Sequence, residues 1–105
     1  MMKNKNQFRQ GDVLIERVAE ITENCEPVEG RVILAHGEAT GHAHEIDMRA
    51  ARAFRREDGQ TVAVKVIKPS EVRHQQHAPI PLNPGNYRVT RQREYSPEAI
   101  RNVAD

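Results

Sequence analysis

Short β-branched or alternating runs, each closed by glycine, proline or asparagine, recur at roughly ten-residue intervals along this chain. No punctuation of that kind is compatible with long amphipathic helices, which need an unbroken 3.6-residue period. GDVLIERV (11–18) opens on a glycine and reads as a strand. RVILAH (31–36), nearly all apolar between Gly30 and Gly37, reads as a buried strand. GHAHEI (41–46) alternates, with His42, His44 and Ile46 on one face and Ala43 and Glu45 on the other.

AFRREDGQTVAVKVIK (53–68) reads as a hairpin turning at Asp58-Gly59 in a tight primed turn. Its second arm puts Val62, Val64 and Val66 on one side. MRAARA (48–53) is either a short helical turn or the strand that leads into this hairpin. APIPL (78–82) carries two prolines that cannot donate to a ladder, which assigns it to an edge or a barrel rim. Asn83-Pro84-Gly85-Asn86 has the residues of a type II turn, and NYRVTRQREY (86–95) follows as the longest alternating strand. ENCEPVEG (23–30) reads as a loop. Only the tail resembles a helix, capped by Ser96 with Pro97 in its first turn. The expected fold is mainly β, a small antiparallel β-barrel or sandwich with a short C-terminal helix. Residues 1–7 are expected to form a flexible N-terminus and 8–105 a single β domain.

Composition narrows the functional classes. Sixteen basic residues against fifteen acidic ones give a net charge of +1, without the basic excess of a general nucleic-acid binder. One cysteine, Cys25, excludes an internal disulfide and suits a reducing compartment. No apolar run approaches the roughly 18 residues of a membrane span, and no secretory signal follows the charged N-terminus. A cytoplasmic protein without membrane contact is expected. Aromatic residues are few, so the core must be built from Val, Ile and Leu, and such a thin core favours a homo-oligomer.

Four of the five histidines fall in two tight pairs, His42 with His44 and His74 with His77. On a strand, positions i and i+2 point the same way, so His42 and His44 can aim at one point. His74 and His77, three apart, meet at a bend, for which Pro69-Ser70-Glu71 leaves room. If the bend lies against strand 41–46, the imidazoles converge into a site for a divalent metal such as Zn, Mn or Fe. Glu38 is the better carboxylate for proton transfer, since Glu45 faces away. Thr40 shares the face of His42 and is in line to bond a ring nitrogen or a substrate oxygen. His36, at the end of a buried strand, reads as structural, and Cys25 lacks the setting of a nucleophile. Surface histidines on strand faces are common, and the bland alternative is a polar face without chemistry.

On strand 86–95 one face carries Tyr87, Val89, Arg91, Arg93 and Tyr95. Arginine forks match phosphate or carboxylate oxygens, and tyrosine rings stack on bases. Arg91, Arg93 and Tyr95 are therefore the candidate binding residues for an anionic small molecule or nucleotide. The alternative is a solvated strand whose arginines pair with neighbouring acids.

The HxH pair in a chain of this kind resembles the first metal motif of the cupins. Met48 and Arg49 stand where cupins place a glutamate, and no histidine follows the Pro84-Gly85 turn, so the resemblance reaches the barrel and not the ligand set. GEATGHAH together with HQQHAPIPLNPGNYRVTRQREYSP resembles a group of small uncharacterised bacterial and phage-type proteins sharing these segments. That likeness implies a complete, free-standing protein and no particular activity. Three functions are expected in order: a metal-dependent hydrolase of a phosphorylated or nucleotide-like substrate, a metal-free histidine acid–base phosphodiesterase, and a non-catalytic binding module for a nucleotide, nucleic acid or protein.

Overall fold

The computed structural model describes residues 6–37 and 41–92, and every regular element within them is a strand. β1 (Gln7–Gln10), β2 (Val13–Val18), β3 (Glu26–Pro27), β4 (Val32–His36) and β5 (Ala43–Ile46) come first. β6 (Ala51–Arg55), β7 (Thr61–Val66), β8 (Ser70–Val72), β9 (Ile80–Leu82) and β10 (Gly85–Arg91) follow. Six of them form one antiparallel sheet in the order β1-β2-β10-β7-β6-β3. The ladders β4–β5 and β8–β9 are also antiparallel. One bridge stitches them together, with Glu45 N–H donating to Arg73 O at 2.9 Å and Arg73 N–H donating to Glu45 O at 2.8 Å.

Alternation places the core between these two layers. Val13, Ile15, Val64, Val66, Tyr87 and Val89 project from the large sheet onto Val32, Leu34, Ile46, Val72 and Leu82 of the small ladders. Each such side chain, fully buried, contributes roughly 1.5–3 kcal/mol. Tyr87 is the largest of them at 1% exposure. Its hydroxyl donates to Asn83 O at 2.7 Å, and the Arg17 guanidinium donates to that hydroxyl at 3.0 Å.

Of the two expected architectures, the open two-layer one is present; the described strands do not close into a barrel. The C-terminal helix proposed from Ser96 onward lies outside the described residues. β1 was not anticipated: Gln7 already pairs with Glu16, and Asn6 O accepts from Arg17 N–H at 2.7 Å. QFRQ has too little apolar content to announce a strand; its partner β2 and the turn between them make it one. The 23–30 loop holds the two-residue β3, paired to β6. Residues 48–50 form a turn and β6 begins at Ala51.

Two turns differ from expectation. In the β6–β7 hairpin only Gly59 has a positive φ, +89°, so Asp58-Gly59 is not a two-residue primed turn. A longer loop closes instead, with Gly59 N–H donating to Arg56 O and Arg56 N–H to Gln60 O, each at 2.9 Å. At 83–86 β10 starts at Gly85 itself, so the four residues do not form a closed type II turn. Of the prolines in 78–82, Pro81 lies opposite Glu71 in the short β8–β9 ladder, where a missing donor is tolerated.

Candidate functional site

The β1–β2 turn, the start of β5 and the bend after β8 bring four imidazoles together. His74 is their hub, with ring centres 4.3 Å from His44, 4.7 Å from His77 and 5.6 Å from His42; His44 and His77 are 6.1 Å apart. The two sequence pairs therefore meet. The Glu45–Arg73 bridge is the cause, because it fixes the bend one residue before His74 against the strand that carries His44. Gln75 adds a second tie, its Oε1 accepting from Ala43 N–H at 3.0 Å.

Close approach sets the backbone requirements here. A Cβ on Gly37 would lie 2.8 Å from the His42 Cβ and 3.0 Å from His74 Nε2. At the β1–β2 turn, Gly11 has φ +61° while Asp12 has a negative φ, the sign pattern of a type II′ hairpin turn. A Cβ on Gly11 would lie 2.9 Å from His77 Nε2. Both glycines are where a side chain would displace the cluster.

Gln10 fixes the chemistry of His44. Its Nε2 donates to Val72 O at 3.0 Å and to Ala78 O at 2.9 Å. Both donors are thereby spent on carbonyls, so Oε1 must accept, and it lies 2.8 Å from His44 Nδ1. His44 therefore carries its proton on Nδ1, and its Nε2 lone pair faces the cluster, 4.0 Å from Asp12 Oδ1. Burial lowers the His44 pKa to about 4; the His74 charge adds to the shift and Asp12 opposes it. At 2% exposure this imidazole is neutral at physiological pH. His74 has the opposite tautomer, since Gln76 N–H donates to its Nδ1 at 3.0 Å. Its neutral form presents an N–H at Nε2. Burial, then the neighbouring charges of His77 and His42, lower its pKa as well.

Asp12 connects the cluster to β10. Arg91 Nε donates to Asp12 Oδ2 at 3.0 Å, and another of its nitrogens donates to His36 O at 2.6 Å. Arg91 thus stands at the cluster's edge with its guanidinium already engaged. Glu38, Thr40, Arg93 and Tyr95 lie outside the described residues. Tyr87 belongs to the core, so it cannot stack on a ligand. Glu45 faces away as expected and pairs with Arg31 at 2.7 Å. His36 makes no ring contact with the other four among the described residues; its carbonyl, not its ring, takes part.

Sequence reasoning missed Gln10 and Asp12. The signal was present in QFRQGDV, where Gln10 shares the inward face of β1 with Phe8. A polar residue on an inward face beside a glycine turn has to be satisfied by something buried.

The donor set, three or four imidazoles and one carboxylate, suits a borderline divalent ion. An ion bound at about 2.0–2.1 Å holds neighbouring imidazole centres roughly 5 Å apart, and the spacings of His44, His74 and His77 bracket that value. Among the described residues, however, no three such donors already converge on one point. His74 would have to release the Gln76 N–H and turn its ring.

Residues 9–92 match the family described as Domain of unknown function (DUF8820). The chain belongs to the DUF8820 family. Every residue of the imidazole cluster and its supports, from Gln10 to Arg91, falls within the DUF8820 match. No curated protein and no solved structure matches the chain. Among the described residues of this DUF8820 chain, no helix is long and apolar enough to cross a membrane.

Proposed function

We propose that this chain is a small histidine-centred hydrolase, metal-dependent, acting on a phosphorylated or nucleotide-like anion. One observation carries the reading: a buried, neutral His44 with Nδ1–H held by Gln10 and its Nε2 lone pair turned toward two imidazoles and a carboxylate. Metal-binding histidines recurrently have their second nitrogen fixed in this way. His44, His77 and His74 would hold the ion, with His42 and Asp12 beside them. A bound divalent ion supplies Lewis acidity and lowers the pKa of a coordinated water. The chain's own contribution is to keep His44 deprotonated and oriented, and to hold Arg91 against Asp12 beside the anion's position.

The test is elemental analysis of protein made without a histidine tag, paired with a chelator titration of phosphodiesterase activity. About one Zn, Mn or Fe per chain is expected, lost in His44→Ala while the fold persists by circular dichroism. Absence of stoichiometric binding after reconstitution with all three ions would end the metal-dependent reading.

A metal-free reading has its own support in the tautomer of His74. His74 keeps a proton on Nε2 and His44 a lone pair on Nε2, in rings centred 4.3 Å apart, a pair suited to acid–base work. Activity that survives exhaustive chelation would select it.

A further inference from the structure

The sheet is split beside the imidazole cluster. The β10–β7 ladder ends at the pair Arg88 and Ala63, although β10 runs on to Arg91 and β7 reaches back to Thr61. Continued register would place Val89 opposite Val62 and Thr90 opposite Thr61. Those edges instead stand apart and carry no ladder to one another. β4 lies across the gap, irregular itself between Ile33 and Ala35, with Thr61 Oγ1 donating to Ile33 O at 2.8 Å. The result is a cleft of about 260 Å³.

Its lining has two characters. Ile33 and Ala35, with the barely exposed edges of Val62 and Val89, supply a small apolar patch, and backbone edges with no strand partner across the gap supply donors and acceptors within it. Arg55, Arg56, Arg88 and Arg91 supply cations, against Glu23 as the one acidic residue among the described lining. Arg88 is held only loosely, 3.4 Å from Glu16 and 3.7 Å from Glu23, at 46% exposure. Exposed pairs of that kind are weak and easily exchanged for a better anion. Arg55 has no side-chain ion pair or hydrogen bond among the described residues. At the far end Arg91 forms the shared wall, reaching His36 O on the cleft side and Asp12 on the histidine side.

A small apolar patch beside polar backbone edges and several guanidinium groups matches a base joined to a phosphate. We propose that this cleft binds a nucleoside monophosphate, base against the Ile33 and Ala35 side of the cleft and phosphate at Arg55 and Arg88. A half-open cleft of about 260 Å³ has room for one nucleotide rather than a strand of nucleic acid. The inference does not rest on the proposed hydrolase, whose imidazole cluster lies on the other side of Arg91.

Isothermal titration of the full chain with the four nucleoside 5′-monophosphates, the parent nucleosides and inorganic phosphate tests it. At least one monophosphate should bind tenfold or more tighter than its nucleoside and than phosphate. Arg55→Gln and Arg88→Gln should each weaken it about tenfold, and Lys68→Gln, outside the cleft, should leave it unchanged. Arg55 has no partner to lose, so that variant should keep the fold. No monophosphate binding below millimolar overturns the proposal, as does equal affinity for the nucleoside, equal affinity for phosphate, or binding of oligonucleotides alone. Nucleotide binding by a chain that takes up no ion and hydrolyses nothing leaves the cleft standing and removes the hydrolase. A stoichiometric ion without nucleotide binding does the reverse.

Discussion

Acid should destabilise this protein through His44, and the size of the effect follows from its burial. Its pKa falls from 6.5 to about 4 on folding. Between those values the unfolded chain holds the proton and the folded chain does not, so stability decreases as pH falls. Each pKa unit corresponds to about 1.4 kcal/mol. By pH 4.5 the loss from this one group is roughly 2.5 kcal/mol, and it approaches its limit of roughly 3.5 kcal/mol well below pH 4. With the side chain at 2% exposure, solvent offers little relief. In a domain of about this size the loss corresponds to a fall in Tm of roughly 10–20 °C. His74, also lowered, adds to it with the same sign.

Urea unfolding from pH 7.5 to 4.5 measures this directly, with chelator present so that no ion holds the imidazoles neutral. Asp47, whose pKa is pushed down to about 2 by hydrogen bonds from Arg49, does not confuse the window. Its stabilisation is present above the ordinary carboxylate range and is lost only as pH falls toward 2. His44→Gln removes the titrating group, and its stability should vary with pH about half as steeply as the wild type or less. Equal slopes in the two proteins would refute the assignment of His44 as a buried neutral imidazole.

Two further perturbations probe the supports of the cluster. Gln10→Leu keeps the volume but strands the Val72 and Ala78 carbonyls and the His44 Nδ1–H; chemical denaturation should show a loss of about 2–4 kcal/mol. Gly11→Ala meets both a positive φ and a contact 2.9 Å from His77 Nε2. It should cost about 1–2 kcal/mol and weaken ion uptake by displacing His77, whereas unchanged ion affinity would show that His77 is not a ligand.

Much of the strand pattern was legible because alternation and turn residues act locally. Val62, Val64 and Val66 read correctly as one buried face, and Asp58-Gly59 marked the right hairpin even though its turn type differed. β1 was illegible, since four mostly polar residues become a strand only when β2 supplies the ladder. On β10 alternation showed that Tyr87, Val89 and Arg91 share a side, and could not show that Tyr87 and Val89 on that side lie in the core.

The imidazoles divide along the same line. The bend after β8 set His74 beside His77, whereas His42, one residue before β5, meets His74 rather than its chain neighbour His44 among the described ring contacts. Bringing the pairs together took the Glu45–Arg73 bridge, a contact between positions far apart in sequence. Gln10 and Asp12 entered through the β1–β2 turn, and the cleft arose where two strands part beyond Arg88 and Ala63. Sequence determined which faces are apolar and where the chain turns, since both depend on neighbouring residues alone. Tertiary structure decided which polar groups meet, which nitrogen of His44 keeps its proton and where the sheet opens, since each depends on partners that only folding brings within reach.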